Sequence, residues 1–208
     1  MTISPNKYPH KWILASASPR RQEILARLKM TFHVDPSQTP EPAGRPGENP
    51  HEYVIRIARL KAKEVGKNYK SGMVIAADTV VVLDGNILGK PSTREEAQGM
   101  LQSLAGRWHQ VYSGVCLFDC KLRRSRAAYS CTRVHFRRLS PADIHWYLDS
   151  GEYRDKAGAY AVQGYASLFI DKMEGCYFNI VGFPVATFEK LCRKMKIDLK
   201  TQIRLPAP

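Results

Sequence analysis

No stretch of the 208-residue sequence approaches the ~18 consecutive apolar residues of a membrane-spanning helix. The opening residues, MTISPNKYPHK, contain no apolar core of a secretory signal, so a cytoplasmic address with no membrane partner is the expectation. Cysteine is scarce and odd in number. The five residues, at positions 116, 120, 131, 176 and 192, show neither the CxxC spacing of a metal site nor a disulfide framework, which leaves buried, reduced thiols. His10, His33, His51, His109, His135 and His145 are scattered without metal-ligand spacing and are assigned no metal. Internal repeats and low-complexity tracts are absent as well. Acidic residues are few against basic ones: 19 Asp and Glu face 32 Lys and Arg, a net charge of +13. Such a surface attracts nucleotides, polyanions or an acidic membrane face, a statement about partners and not about fold.

What the chain does contain is an ordinary globular balance, 44% hydrophobic and 25% charged, enough for one domain spanning residues 1–208. About ten residues at each end are expected to be flexible. KWIL reads as a first buried strand, PRRQEILARL as a helix and TFHV as a second strand. The proline-rich DPSQTPEPAGRPGENP, residues 35–50, cannot hold regular structure and reads as a functional loop. Asn49-Pro50 then opens a helix with Val54, Ile57, Ala58 and Val65 on one stripe. MVIAADTVVVL is a buried strand or strand pair, DGN a hairpin turn, and Thr93 with Glu96 a capping box. WHQVYSGVCLFD and AYSCTRVHF read as two long strands joined through CKLRRSR, and Ser140 to Asp143 caps a short helix. KAGAYAVQ and SLFIDK read as strands, and FPVATFEKLCRKM as a last amphipathic helix. The sum is an α/β fold with a mixed sheet.

Five positions resist a purely structural account. Ser18 and Pro19 suit the start of a helix, which puts Arg20 and Arg21 in its first turn, where the helix dipole is already positive. Each cation there costs roughly 0.3–1 kcal/mol unless an anion sits in front. Asp78 interrupts the apolar run from Met73 to Leu83, and a bare carboxylate inside a buried strand costs several kcal/mol. It is therefore expected at a strand end or bulge, facing a cation, a metal or a hydrogen-bonding cluster, or else capping a turn before Thr79. Lys61 falls on the apolar stripe of its helix, and Lys90 follows a β-turn unit. Snorkelling or solvation accounts for either lysine alone. Together Arg20, Arg21, Lys61 and Lys90 compose a phosphate site, with Asp78 held ionised among them, its pKa depressed, to bind a metal or take a proton from water.

ILASASPRRQEIL, IAADTVVVLDGNILGKP, MLQSLAGRWHQVYSGV and DKAGAYAVQGYASLFIDKMEGCYFNIVGFPV stand in the order and spacing of the Maf family of nucleoside triphosphate pyrophosphatases, which the chain resembles from about Ile13 to its last helix. The resemblance implies a Maf/Ham1-like (ITPase-like) fold, a twisted mixed β-sheet flanked by helices, with a cleft between two lobes and usually a homodimer. It implies hydrolysis of a nucleoside triphosphate between its α and β phosphates with Mg²⁺ or Mn²⁺, house-cleaning of the nucleotide pool. Asp78 matches the family's proton acceptor. Ser18, Arg20 and Arg21 match its phosphate-holding loop, and Lys61 and Lys90 its phosphate-binding lysines. Glu41 matches the second residue of an acidic pair that would join Asp78 on the metal, while Pro40 replaces the first. Arg20, Thr79 and Gln163 match the positions that separate substrate branches, and Thr79 resembles the dTTP/UTP branch more than the 7-methyl-GTP branch. Ser113 stands where Thr is common. Glu152 and Lys156 match the pattern as supporting ion-pairing residues.

Two other classes compete with an enzyme. KLRRSR with Trp108, Tyr112 and Tyr129 would suit a nucleic-acid binder, but those aromatics lie in predicted strands and no nucleic-acid motif accompanies them. The family resemblance also brings a division-regulating interaction protein, for which the sequence offers no partner motif.

Overall fold

The computed structural model describes residues 11–203. His10 and the expectation of flexible ends at residues 1–10 and 204–208 lie outside it. Within it, Leu199–Gln202 form a 3₁₀ turn whose Leu199 is buried, and Ile203 bridges to Met30, so this part of the C-terminal stretch packs on the body.

β1 (Trp12–Leu14) pairs in parallel with β2 (Phe32–Val34) and with β3 (Met73–Leu83), and α1 (Pro19–Arg27) makes the crossover between β1 and β2. α2 (Pro50–Gly66) leads into β3, and β4 (Asn86–Leu88) folds back antiparallel on it. α3 (Arg94–Leu104) precedes β5 (Trp108–Asp119), which runs antiparallel to both β3 and β6 (Arg124–Phe136). α4 (Pro141–Asp149), β7 (Ile170–Glu174), α5 (Tyr177–Val181) and α6 (Val185–Lys194) follow. The result is one seven-stranded mixed sheet in the order β2-β1-β3-β5-β6-β7, with β4 beside β3. Its parallel part is crossed over by helices, and its antiparallel part contains the chain-neighbour pairs β3–β4 and β5–β6.

Alternation along β3 divides the core. Met73, Ile75, Ala77, Val81 and Leu83 join the large cluster on one face, while Val74, Ala76, Val80 and Val82 lie in the clusters packed with α2 residues. Asp78 and Thr79 therefore point to opposite faces. On one edge of β3, β1 covers Met73–Ile75 and β4 covers Val81–Leu83. The other edge belongs to β5 from Met73 to Val82. Residues 76–80 have no strand on the first edge, and both Asp78 and Thr79 sit in that gap. Directly opposite Asp78 in β5 is Gly114, where a Cβ would overlap the Val54 carbonyl of α2. Its missing side chain lets α2 lie against the sheet.

Several expectations change. KAGAYAVQ is no strand: Gly158 and Ala159 have φ of 64° and 63°, and residues 157–159 form a 3₁₀ turn. Positive φ at successive residues cannot extend a ladder. SLFIDK begins as the 3₁₀ turn Tyr165–Phe169 and becomes strand only at Ile170. α5, unforeseen, is a short helix closed by Gly182 at φ 108°. β6 starts at Arg124, so the basic linker is half strand. Asp78 lies neither at an end nor at a bulge but in the middle of β3, 4% exposed.

Candidate active site

A cleft of about 760 Å³ opens at the gap in the edge of β3. It is lined by Ser18, Arg20, Arg21, Glu41, Lys61, Asp78, Thr79, Lys90 and Gln163, which come from distant parts of the chain. Every site residue expected from the sequence reaches this one cleft. A shallower groove of about 780 Å³ along α2, lined by Arg45, Arg56, Arg59, Leu60 and Lys63 among others, contains none of them.

The carboxylates are organised by one lysine. Lys61 Nζ donates to Asp78 Oδ1 at 2.8 Å and to Glu41 Oε1 at 2.6 Å, so a single ammonium joins the strand to the proline-rich loop. Seven residues, about two helical turns, separate Lys61 from Val54, the residue packed on Gly114, which places both on the sheet-facing side of α2. Burial pushes the Asp78 carboxyl above its ordinary range, and the attraction of Lys61 offsets this only in part. This corrects the expected depression: removal from water outweighs the cations around it. Glu41 is half exposed; burial pushes its pKa up, but Lys61, with Lys90 and Arg21, pulls harder, and the net shift is downward.

The two arginines divide the work. Arg21 folds inward and spends its fork on the protein, donating from Nε to the Gly182 carbonyl (3.0 Å), from Nη1 to Ser16 Oγ (3.0 Å) and from Nη2 to Thr79 Oγ1 (3.3 Å). Burial lowers its pKa, with Asp78 opposing. Arg20 stays partly exposed on the cleft wall and, among the described residues, makes no hydrogen bond or ion pair; burial lowers its pKa while the Glu152 charge opposes. The acceptors of Arg21 are all neutral, so among the described residues neither arginine is paired with a carboxylate. Ser18 occupies the N-cap position, but its side chain makes no capping bond.

Thr79 Oγ1 also lies 2.8 Å from Ser113 Oγ, which donates to the Asn179 carbonyl at 3.0 Å. Asn179 is fully buried and donates from Nδ2 to the Val111 carbonyl and Thr132 Oγ1. Ser16, Asn179 and Gly182 hold the site together and were missed in the sequence; a lone Asn inside the apolar YFNIVGF was the available signal. Glu152 and Lys156, expected as supporting ion-pairing residues, form no ion pair among the described residues. Glu152 accepts from the backbone N–H of Tyr165 (2.9 Å) and Ala166 (3.3 Å), pinning the turn after Gln163, and Lys156 donates to the Arg154 carbonyl. Trp108 and Tyr112 lie within β5 and Tyr129 within β6, and Trp108 is at the opposite end of that strand pair from the basic linker.

Among the described residues no group of three or more His, Cys, Asp or Glu could hold a metal by itself. Asp78 and Glu41, joined through Lys61, offer two carboxylates at the cleft. That donor set fits Mg²⁺, which takes one or two carboxylates and completes its shell with phosphate oxygens and water.

The family model described as Maf-like protein matches residues 11–195. A dTTP/UTP pyrophosphatase of Clostridium tetani is 43% identical over 190 residues, 90% of this chain and 99% of that protein. One from Syntrophomonas wolfei is 45% identical over 83% of this chain and 91% of its own length. One from Carboxydothermus hydrogenoformans is 45% identical over 88% and 98%. Among solved structures, a HAM1 protein from Coxiella burnetii aligns at 16% identity over 77% of this chain and 91% of that one, with a TM-score of 0.43.

Proposed function

The chain belongs to the Maf family, and from that premise we propose that it is a nucleoside triphosphate pyrophosphatase hydrolysing dTTP and UTP, modified pyrimidine nucleotides included, to the monophosphate and pyrophosphate. The observation that carries this reading is one cleft gathering Arg20, Arg21, Lys61 and Lys90 around a buried Asp78, in a chain 43% identical to a dTTP/UTP pyrophosphatase. A triphosphate supplies the negative charge that Arg20 lacks.

Arg20 and Lys90, neither of them paired among the described residues, bind the phosphates, and Arg21 holds the loop and Thr79 in place behind them. Asp78 takes a proton from the water that attacks the α-phosphorus. The bond from that phosphorus to the bridging oxygen breaks, and pyrophosphate leaves against the cations. A raised carboxyl pKa makes Asp78 the better base, since the proton moves toward a group closer in affinity to the water it activates. Asp78 and Glu41 would hold the divalent ion, Mg²⁺ or Mn²⁺, which when bound supplies positive charge at the departing phosphates. Lys61 neutralises both carboxylates in the free protein and turns to phosphate when the nucleotide arrives. Thr79 and Gln163 face the same cleft as Arg20 and set the choice of base.

Two copies pairing is part of the reading, supported by exposed Trp146 of α4, whose ring meets exposed Tyr165 on the 3₁₀ turn Tyr165–Phe169 that also carries exposed Leu168; sedimentation equilibrium measures it. A cytoplasmic address is supported by five free cysteines. No helix among the described residues is long and apolar enough to cross a membrane.

The test is pyrophosphate release with Mg²⁺ from dTTP, UTP, CTP, GTP, 7-methyl-GTP, ITP and modified uridine triphosphates, with orthophosphate assayed in parallel. Pyrophosphate from dTTP and UTP is expected. A preference for 7-methyl-GTP keeps the reaction and moves the branch, and no pyrophosphate from any nucleotide refutes the activity.

A further inference from the structure

The loop that carries Glu41 has little backbone structure to fix it. Between Asp35, whose N–H bonds the Leu14 carbonyl, and Glu48, no backbone-to-backbone hydrogen bond ties it to the sheet or helices among the described residues. Side chains replace those bonds. At the near end Tyr69 donates to Asp35 Oδ2 at 2.9 Å. At the far end Arg56 of α2 grips the loop three ways. Its Nε and Nη2 form a two-pronged pair with Glu48, both at 2.6 Å, and Nη2 also donates to the Ala43 carbonyl at 3.2 Å. The ring of Tyr53 lies under the guanidinium, 5.3 Å from centroid to the central carbon.

The side chains of Arg56 and Glu48 are 16% and 8% exposed, and the bidentate bond holds the Glu48 pKa down to about 2, so the pair stays charged across the working pH range. Glu48 also accepts from the Arg45 N–H at 3.0 Å, which closes the loop on itself beside the clamp. Ala43 lies two residues from Glu41, so the position of the Ala43 carbonyl limits where the Glu41 carboxylate can reach. In the structure it reaches Lys61, five residues beyond Arg56 on the same helix.

We propose that Arg56 is a positioning residue, which through Glu48 and the Ala43 carbonyl sets the Glu41 carboxylate at Lys61 and so at the place of the divalent ion. The inference rests on the pyrophosphatase reading for its functional consequence. Arg56 touches no reacting atom; α2 carries both Lys61 and the clamp, so one rigid helix sets the geometry of loop and strand together.

The experiment compares the wild-type chain with Arg56→Gln, Arg56→Lys, Glu41→Gln and the Arg56→Gln/Glu41→Gln double variant. It measures half-saturating Mg²⁺ in dTTP hydrolysis, backbone hydrogen exchange over residues 36–48 in metal-free protein, and urea unfolding. Arg56→Gln is expected to raise half-saturating Mg²⁺ at least tenfold and to speed exchange in the loop. Arg56→Lys, which keeps charge but loses the fork, restores part of both. The double variant is expected to be no worse in Mg²⁺ dependence than Glu41→Gln alone, because Arg56 acts through Glu41. Lowered urea stability with multiplying effects on Mg²⁺ dependence would show a merely structural residue and overturn the proposal. Unchanged Mg²⁺ dependence or unchanged exchange in Arg56→Gln overturns it too, and if that variant fails to fold, Arg56→Lys is judged by the same two measurements. A wild-type chain releasing no pyrophosphate defeats the functional reading instead, and loop exchange then decides the clamp alone.

Discussion

Lys61 Nζ stands 2.8 Å from Asp78 Oδ1, an ion pair whose partners are 12% and 6% exposed and belong to the helix and the strand that it joins. The pair is not there for stability. Taking two charges out of water costs more than a well-packed apolar pair, and burial raises the Asp78 pKa in spite of Lys61. A carboxyl whose folded pKa lies above its unfolded one favours folding at low pH and loses that contribution as pH rises through the folded value.

Asp78→Asn is therefore expected to separate activity from stability. Turnover falls by about 10²-fold or more through loss of the proton acceptor. At neutral pH the variant unfolds at the same or higher temperature, since a buried negative charge is gone and Lys61 keeps Glu41. Pyrophosphate release and thermal unfolding check the two halves, and a variant retaining most of its activity contradicts the role of Asp78. In the wild type, the acid limb of kcat/KM is expected above the ordinary aspartate range.

Arg20 and Arg21, adjacent in sequence, are expected to fail differently. Arg20→Ala, which breaks no hydrogen bond or ion pair among the described residues, costs less stability than Arg21→Ala and raises KM for the nucleotide. Arg21→Ala strips partners from the Gly182 carbonyl, Ser16 and Thr79, and costs about 1–3 kcal/mol in stability besides. Urea unfolding beside steady-state kinetics distinguishes them; equal stability losses would contradict the division.

Gly114→Ala tests the seat of α2. The new methyl meets the Val54 carbonyl and the Ile55 N–H at the sheet face, so α2 must lift. The expected cost is about 1–3 kcal/mol with a loss of activity, because Lys61 moves with the helix. Chemical denaturation and dTTP hydrolysis measure both, and a silent substitution would mean that helix and sheet are not in contact there.

His109 gives the chain an acid-sensitive core. It is 2% exposed with Nε2 2.8 Å from the Tyr160 hydroxyl, and burial lowers its pKa from 6.5 to about 4. With a depressed folded pKa, its contribution is present above the unfolded value and lost as pH falls from about 6.5 through about 4, some 3 kcal/mol at most. Urea unfolding at pH 7 and pH 4.5 should show this fall, and His109→Gln should flatten it.

The sequence was most readable where local chemistry and period agreed. Asn49-Pro50 starts α2, Ser140 with Asp143 starts α4, and Thr93 accepts from the Glu96 N–H at the start of α3, although the Glu96 side chain accepts from the Ser92 N–H and does not close the capping box on Thr93. Residues 157–169 misled because their apolar alternation resembles a strand, whereas Gly158 sits against Val81 at positive φ, a close approach that no local pattern announces. α5 was too short for a helical period to show. Asp78 was expected at a strand end or bulge with a lowered pKa; it sits in mid-strand because Lys61, from another element, partners it, and its pKa rises because burial outweighs the cations around it.

By itself the sequence determined which residues are charged where charge is costly: Arg20 and Arg21 in a first helical turn, Asp78 in an apolar run and Lys61 on an apolar stripe. Those are local facts, read from composition and spacing along a few turns or strand residues. Only the tertiary structure decided that they meet, because β1 and β4 stop short of each other along β3 and leave Asp78 and Thr79 uncovered at the edge. It also decided that Arg21 is consumed by the Gly182 carbonyl while Arg20 is not, and that Arg56 holds the loop of Glu41. Each of these depends on the distance between segments far apart in sequence, and that distance is set by how the helices seat on the sheet.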